Sequence, residues 1–199
     1  MKFIHTADLH LDSKMESNLS QEKARQRQGE LLDTFSRLAD FAAENEVRAI
    51  LLCGDVFDKT HIRKAAKTRT LEIITTHPAI DFLYLQGNHD RTDFLTELQG
   101  QFPPNLKTFT ETQWTSYVYG AHENIIITGR ELTKDNNKTL ATNLVLDRSK
   151  CNIVMLHGQE SGYEGSDKTE IVNISELKNK NIDYLALGHI HSHKEEKLD

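Results

Sequence analysis

Five short segments of this sequence carry side chains that bind metal ions well. Their carboxylates, carboxamide and imidazoles suit a hard-to-borderline divalent ion such as manganese, iron or zinc better than calcium or copper. The segments are Asp8-Leu9-His10, Gly54-Asp55, Gly87-Asn88-His89-Asp90, His157-Gly158 and Gly188-His189-Ile190-His191. The candidate ligands in them are Asp8, His10, Asp55, Asn88, His157, His189 and His191. Seven ligands are too many for one tetrahedral zinc and about right for two ions completed by water and substrate.

Two divalent ions roughly 3.5–4 Å apart form the usual clamp for hydrolysing a phosphate ester. A carboxylate must bridge ions that lie so close, and Asp55 is the natural candidate. It lies midway in the set and follows Gly54, where the backbone can turn sharply. The pattern therefore predicts a two-metal site for phosphoester hydrolysis.

His89 directly follows a candidate ligand, so its role must differ from that of its neighbour. If Asn88 binds metal through its amide oxygen, His89 can face outward toward a leaving group. It would then act as a general acid or stabilise transition-state charge. A carboxylate is needed to fix its tautomer, and either Asp58 or Asp90 could supply it.

Each of the five segments comes just after a short apolar run that is typical of a buried strand. The runs are residues 2–4, 49–52, 82–85, 153–156 and 184–187. In an open α/β sheet the carboxyl ends of the strands form a common rim where ligands bind. The five segments are therefore expected to converge on one site.

Helical periodicity fills the intervals between these strands. It predicts helices over about 20–44 and 62–76, a short helix after Thr92, and another over about 175–180. The alternation of strands and helices favours βαβ units and a largely parallel sheet. Short strands at 107–110, 117–119 and 125–128 suggest a second sheet packed against the first.

The five segments resemble, in order, the pattern of the calcineurin-like metallophosphoesterase superfamily: D-x-H, G-D-x-x-D, G-N-H-D/E, H and G-H-x-H. The resemblance implies a four-layer α/β/β/α sandwich. It implies one metal ion on Asp8, His10, Asp55 and His191, and a second on Asp55, Asn88, His157 and His189. It also implies that Asp58, the second acid of G-D-x-x-D, orients His89 in preference to Asp90.

Within the superfamily, the segments at 1–12, 54–58 and 187–191 are most similar to the SbcD-type DNA-repair exonucleases. The serine/threonine phosphatases carry an arginine after the second aspartate and end the third element with glutamate, where this chain has Lys59 and Asp90. The resemblance implies a metal-dependent phosphodiesterase that hydrolyses DNA with a two-metal-activated water. Manganese is preferred over iron, zinc or magnesium, and an SbcC-type ATPase is the partner expected for a full-length protein.

Two other functions stay open from the sequence. One is a small phosphoesterase for nucleotides or cyclic nucleotides, because a net charge of −6 is not the basic footprint of a nucleic-acid-binding surface. The other is a catalytically silent scaffold that binds a partner on the same fold. Basic residues near the site segments are nevertheless expected to contact substrate, and these are Lys59, Arg63 and Arg91.

The length of 199 residues suits one domain, so residues 1–199 are interpreted as a single catalytic core. The family continues past the H-x-H element with further strands, and the exonuclease branch adds a capping domain and an ATPase-binding segment. The chain is therefore interpreted as a C-terminally truncated or compact core. An unpaired sheet edge would then favour a homodimer.

Location is inferred from what the composition lacks. No run of 18 apolar residues indicates a membrane span, and no signal peptide is evident at the N-terminus. Cys53 and Cys151 are isolated and are expected to be reduced, buried thiols. These features favour a cytoplasmic protein.

Overall fold

The computed structural model describes residues 1–15, 19–58, 62–90, 93–98, 100–161 and 170–198. The strands are β1 (Lys2–Thr6), β2 (Val47–Cys53), β3 (Asp81–Leu85), β4 (Leu106–Thr108), β5 (Thr115–Tyr119), β6 (Ile125–Gly129), β7 (Cys151–His157), β8 (Gln159–Glu160), β9 (Ile171–Val172) and β10 (Tyr184–Gly188). The helices are α1 (Gln21–Glu44), α2 (Lys64–Thr76), α3 (Asp93–Glu97) and α4 (Ile174–Leu177), with 3₁₀ turns at Asn137–Thr139 and Ala141–Asn143.

Two four-stranded sheets form the centre of the molecule. The first has the order β1-β2-β3-β4 and is parallel throughout. The second has the order β10-β7-β6-β5, in which β5 runs antiparallel to β6 and the other pairs are parallel. Strands β8 and β9 form a separate short parallel pair.

The burial pattern shows how the layers are stacked. Along β2, Ile50 and Leu52 face a cluster that includes buried residues of α1 and α2, whereas Leu51 and Cys53 face the second sheet. The opposite face of the second sheet packs against the 3₁₀ turns and α4, for example through Leu177. A strand covered on both faces is apolar along its buried part, as residues 49–53 of β2 are. The predicted four-layer α/β/β/α sandwich is confirmed.

The assignment of strands to sheets differs from the prediction in two places. The strand expected near 107–110 joins the first sheet, since Phe82 pairs with Leu106 and Tyr84 with Thr108. The strands before the fourth and fifth site segments, β7 and β10, belong to the second sheet. The site segments therefore come from two sheets. An apolar run indicates a buried strand, but it does not specify the sheet in which that strand lies.

Hydrogen bonds to side chains lie at the start of both long helices. Ser20 caps α1, and its hydroxyl accepts a hydrogen bond from the Lys23 backbone amide at 3.4 Å. Helix α2 begins at Lys64, slightly later than predicted, because Arg63 is extended and its amide donates to Asp12. No helix among the described residues has the length and apolar character needed to cross a membrane. Cys53 is buried as predicted, whereas the prediction was wrong for Cys151, which is exposed at the start of β7.

Candidate metal centre

The loops that follow the strands continue the parallel pairing and so carry the site segments to one place. The Asp8 amide donates to the Gly54 carbonyl at 3.0 Å, and the His10 amide donates to the Asp55 carbonyl at 2.9 Å. In the second sheet, the Gly158 amide donates to the Gly188 carbonyl at 3.2 Å. Both sheets therefore present the carboxyl ends of their parallel strands at the same edge, as ligand sites of α/β sheets require.

Glycines allow the loops of the two sheets to touch. A Cβ on Gly54 would lie 2.1 Å from Nδ1 of His157, and a Cβ on Gly188 would lie 2.0 Å from the carbonyl oxygen of Cys53. Gly54 also has a positive φ of +83°, which side-chain-bearing residues rarely adopt. The close contact of the two sheets at this edge therefore requires glycine at both positions.

Four of the predicted ligands have positive φ angles. The values are +55° for Asp8, +44° for His10, +52° for Asp55 and +108° for His189. Non-glycine residues are uncommon in this region, and such strain is concentrated at functional sites. The sharp backbone turns aim successive side chains into one cavity.

The outer group of candidate metal ligands consists of Asp8, His10 and His191. One donor atom from each lies within 4.8 Å of the other two. Nε2 of His10 is 3.1 Å from Nε2 of His191, which in turn is 3.7 Å from Oδ1 of Asp8. The side chain of His191 is 64% exposed, so this group faces solvent.

The inner group consists of Asp55, His157 and His189, whose donor atoms also lie within 4.8 Å of one another. Nε2 of His157 is 3.3 Å from Oδ2 of Asp55 and 3.3 Å from Nδ1 of His189. The amide oxygen of Asn88 is 3.2 Å from the same nitrogen. His157 and Asp55 are buried, so the inner group lies beneath the surface.

The two groups share one cavity of about 500 Å³, which Asp8, His10, Asp55, His189 and His191 all line. They are also tied together directly, because the His189 amide lies 3.2 and 3.1 Å from the two oxygens of the Asp8 carboxylate. The structure thus brings the seven predicted ligands together.

The inner donor set fits a cation. Nδ1 of His157 is hydrogen-bonded to the Cys53 carbonyl at 2.9 Å, which directs Nε2 toward Asp55 and fixes the ring. Burial disfavours the charged imidazole, but the hydrogen bond and charge of Asp55 outweigh it and raise the pKa of His157 to about 9. Against the same cost of burial, His157 lowers the pKa of Asp55. A proton on His157 therefore neutralises the charge of the buried Asp55 carboxylate. A divalent cation bound at the same place would neutralise that charge instead.

Asp58 contacts two histidines, one more than predicted. Its Oδ1 lies 3.1 Å from Nδ1 of His10 and 3.3 Å from Nδ1 of His89. Its other oxygen accepts a hydrogen bond from the Ser13 hydroxyl at 2.7 Å. Asp58 is thus placed to orient a candidate ligand and the candidate acid together. The part of Ser13 was missed, since nothing in its spacing distinguishes it from an ordinary loop serine.

Asp90, the other carboxylate considered for His89, has a different position. It is buried and accepts hydrogen bonds from the backbone amides of Phe57 at 2.7 Å, Val56 at 3.0 Å and Gly87 at 3.2 Å. Burial raises the pKa of Asp90 to about 7, although these backbone hydrogen bonds favour its charged form. Asp90 therefore ties the loop after β2 to the loop after β3. The signal for this was the apolar Val56-Phe57 pair, whose buried amides need an acceptor.

The three predicted substrate-binding residues have different outcomes. The side chain of Arg63 is half-exposed and pairs with Asp12, and it lines a neighbouring cavity. Lys59 and Arg91 lie outside the described residues.

Comparisons with known proteins agree with this geometry. Residues 1–193 match the family model described as calcineurin-like phosphoesterase. The "DNA double-strand break repair protein Mre11" of Sulfolobus acidocaldarius is 26% identical over 100% of this chain and 52% of its own length. The protein of the same name from Sulfurisphaera tokodaii is 27% identical over 100% of this chain and 51% of its own length.

A further relative comes from a bacterium. The "uncharacterized metallophosphoesterase YhaO" of Bacillus subtilis is 27% identical over 96% of this chain and 48% of its own length. The chain thus spans about half the length of the curated relatives it matches. One solved structure, "Pseudomonas putida nuclease MPE", is 14% identical over 75% of this chain and 57% of that chain, with a TM-score of 0.37.

Proposed function

The chain belongs to the calcineurin-like phosphoesterase family, whose members hydrolyse phosphoesters with divalent metals, and we propose that it is a nuclease that cleaves phosphodiester bonds of DNA. The observation that carries the proposal is the pair of donor groups lining one cavity beside His89. The relatives named for DNA double-strand break repair favour DNA as the substrate over other phosphodiesters.

The proposed ligands divide between two ions. The outer group, Asp8, His10 and His191, would hold one ion, and His157, His189 and Asn88 would hold the other. Asp55 would serve both, because it lies in the inner group and also lines the cavity shared with the outer group. When bound, two divalent ions supply Lewis acidity that activates water and neutralises charge on the phosphate. Manganese suits this mixed oxygen and nitrogen donor set.

His89 is proposed as the acid that protonates the leaving oxygen. Its side chain is 48% exposed at the cavity, and Nδ1 is next to Asp58, so Nε2 is available to a substrate. Its backbone amide donates to Oδ1 of Asp55 at 3.0 Å, which holds the loop against the inner group. Asp58 fixes the tautomer and stabilises the charged imidazole before the proton is transferred.

A small nucleotide or cyclic nucleotide is the second candidate substrate. The net charge of −6 favours it, since a long polyanion is repelled at a distance by an acidic protein. An SbcC-type ATPase partner stays a prediction from the family resemblance, and a homodimer stays a prediction from the unpaired sheet edge.

A substrate panel with added manganese tests the function. It contains a single-stranded oligonucleotide, a duplex with blunt ends, bis(p-nitrophenyl) phosphate and a set of nucleotides. We expect cleavage of the DNA substrates and of the chromogenic diester, and loss of both in Asp55→Asn. His122→Gln, which changes an exposed histidine away from the site, is the matched control and should retain wild-type rates. Hydrolysis of nucleotides without cleavage of any DNA would contradict the proposal in favour of the second candidate.

A further inference from the structure

A second cavity of about 330 Å³ lies beside the metal centre. Among the described residues it is lined by Gln21, Ala24, Arg25, Gln28 and Arg63. The first four share one face of α1, because residues three and four apart on a helix are neighbours. All but Ala24 carry side-chain hydrogen-bond donors, and two are guanidinium groups. The lining is therefore suited to an anion and offers little surface for an apolar group.

A contact between Gln28 and Ser13 forms the wall that separates this cavity from the metal centre. Nε2 of Gln28 donates to the carbonyl of Ser13 at 2.6 Å, and Ser13 also lines the cavity that holds the candidate ligands. Gln28 is 8% exposed, so the contact is fixed rather than a surface encounter. An extended ligand, such as a nucleic-acid strand, that lies across this wall can reach both cavities at once.

Arg63 is held in place for binding. Asp12, which is 0% exposed, accepts a hydrogen bond from the Arg63 backbone amide at 2.9 Å and a second from its Nε. The side chain of Arg63 is still 50% exposed. Since its Nε is occupied, its terminal nitrogens are the atoms left to meet an anion. Asp12 comes two residues after His10, so the loop that carries an outer ligand also positions this guanidinium.

Charge favours an anion in the same place. Asp12 balances the charge of Arg63, whereas Arg25 is exposed and pairs with no acid among the described residues. A planar guanidinium presents a fork of donors that matches phosphate oxygens. The cavity therefore combines one fixed guanidinium, one free guanidinium and carboxamide donors.

We propose that this second cavity binds a backbone phosphate of a nucleic-acid strand whose scissile phosphodiester lies at the metal centre. The inference rests on the proposed nuclease function and deepens it, because it assigns the substrate to polymers over mononucleotides. A dinucleotide has a single phosphodiester and so has nothing to place in the second cavity. Positive grooves that follow the backbone are the usual means of binding single strands without reading their sequence.

The test compares Arg25→Gln with Arg27→Gln in the full chain with manganese. Arg27 lies on the same helix, is also exposed and pairs with Glu30 at 2.7 Å, but it does not line the cavity. Both variants remove one positive charge, so the comparison separates a local contact from general electrostatics. The substrates are a single-stranded oligonucleotide and the dinucleotide of thymidine.

We expect Arg25→Gln to lower kcat/KM on the oligonucleotide about tenfold, the usual value of one charge-assisted contact. The slope of log kcat/KM against log salt should become shallower by about 0.7. Dinucleotide cleavage should be unchanged. Arg27→Gln should leave kcat/KM on the oligonucleotide, its salt dependence and dinucleotide cleavage near their wild-type values. Arg25→Lys should lie between wild type and Arg25→Gln, since it keeps the charge and loses the fork.

Other outcomes overturn the inference. Equal losses in Arg25→Gln and Arg27→Gln would show that only the overall charge matters. A loss on the dinucleotide as large as that on the oligonucleotide would show that Arg25 supports the metal centre or the fold. Oligonucleotide cleavage untouched by Arg25→Gln would remove the subsite and leave the nuclease function standing. A wild-type protein that cleaves the chromogenic diester but no oligonucleotide would contradict the nuclease function itself, and the subsite with it.

Discussion

The inner and outer groups of candidate metal ligands differ in how much of their surroundings the protein supplies. The inner group has a buried histidine, His157, fixed by the Cys53 carbonyl and paired with a buried carboxylate, Asp55. The outer group includes His191, whose side chain is 64% exposed, and it depends on Asp58 to orient His10. Preorganised donors lose less conformational entropy on binding than exposed ones. We therefore expect the inner group to bind its ion more tightly and the outer group to exchange its ion with solution.

The largest difference should come from removing one histidine from each group. His157→Ala leaves the buried Asp55 without its charged partner, and breaking such a pair costs about 3–5 kcal/mol. His191→Ala removes an exposed side chain, so the free energy of unfolding should change by about 0.5 kcal/mol or less. Urea melts of the metal-free proteins measure both values. Equal stability losses would show that the two groups are not different in the way described.

The second prediction concerns His89, which lies beside both groups but is proposed to be a ligand of neither. His89→Gln should retain the wild-type metal content and lose about 10²–10⁴ in kcat, the typical contribution of a general acid. Metal analysis of the purified protein and turnover of bis(p-nitrophenyl) phosphate give the two values. A variant that loses an ion would make His89 a ligand and would overturn the assignment. His122→Gln serves again as the control.

Replacing Asp58 should weaken metal binding at the outer group and leave metal binding at the inner group unchanged. Since Asp58 contacts both His10 and His89, Asp58→Asn should weaken the outer ion about 10–100-fold, as loss of a carboxylate behind a ligating histidine does, and should also reduce turnover. The inner ion should be retained, because Asp58 contacts no member of that group. Chelator titration of metal-loaded protein resolves two affinities if this is correct. Equal weakening of both ions would indicate that the groups are coupled.

The two groups also show which features of the site could be predicted from the sequence. Polar residues such as Asp8 and His157 come within a few residues of the end of an apolar run, and the carboxyl ends of parallel strands meet, so the convergence of the ligands was predictable. The four-layer sandwich followed from the family resemblance. What could not be predicted was the contribution of two sheets, since an apolar run does not identify its neighbours across a sheet.

Long-range hydrogen bonds account for the other gaps. Asp90 was considered as the partner of His89, yet it accepts amides from Val56 and Phe57, more than 30 residues earlier in the chain. Asp58 proved to be shared between His10 and His89. Spacing along the chain specifies neither arrangement, because it constrains side chains only within one element. Cys151 was wrongly expected to be buried. The sequence showed that it lies at a strand, but it did not show that this end of the strand is exposed.

The last expected effect concerns pH, and it sharpens the account of the inner group. The pKa of His157 is raised to about 9 in the folded protein from an ordinary value of 6.5, because the influence of Asp55 outweighs that of burial. Without metal, the raised pKa of His157 contributes stability that is fully present below pH 6.5 and is lost as the pH rises through 9. An ion that replaces the proton must compete with it, so affinity for the inner ion should weaken about tenfold for each pH unit below 9.

Chelator competition with His191→Ala, which retains the inner group, measures that affinity at pH 7, 8 and 9. Calorimetry in buffers of different ionisation enthalpy should register nearly one proton released per inner ion at pH 7.5. An inner affinity that stays constant over this range would show that His157 is already neutral before the ion binds.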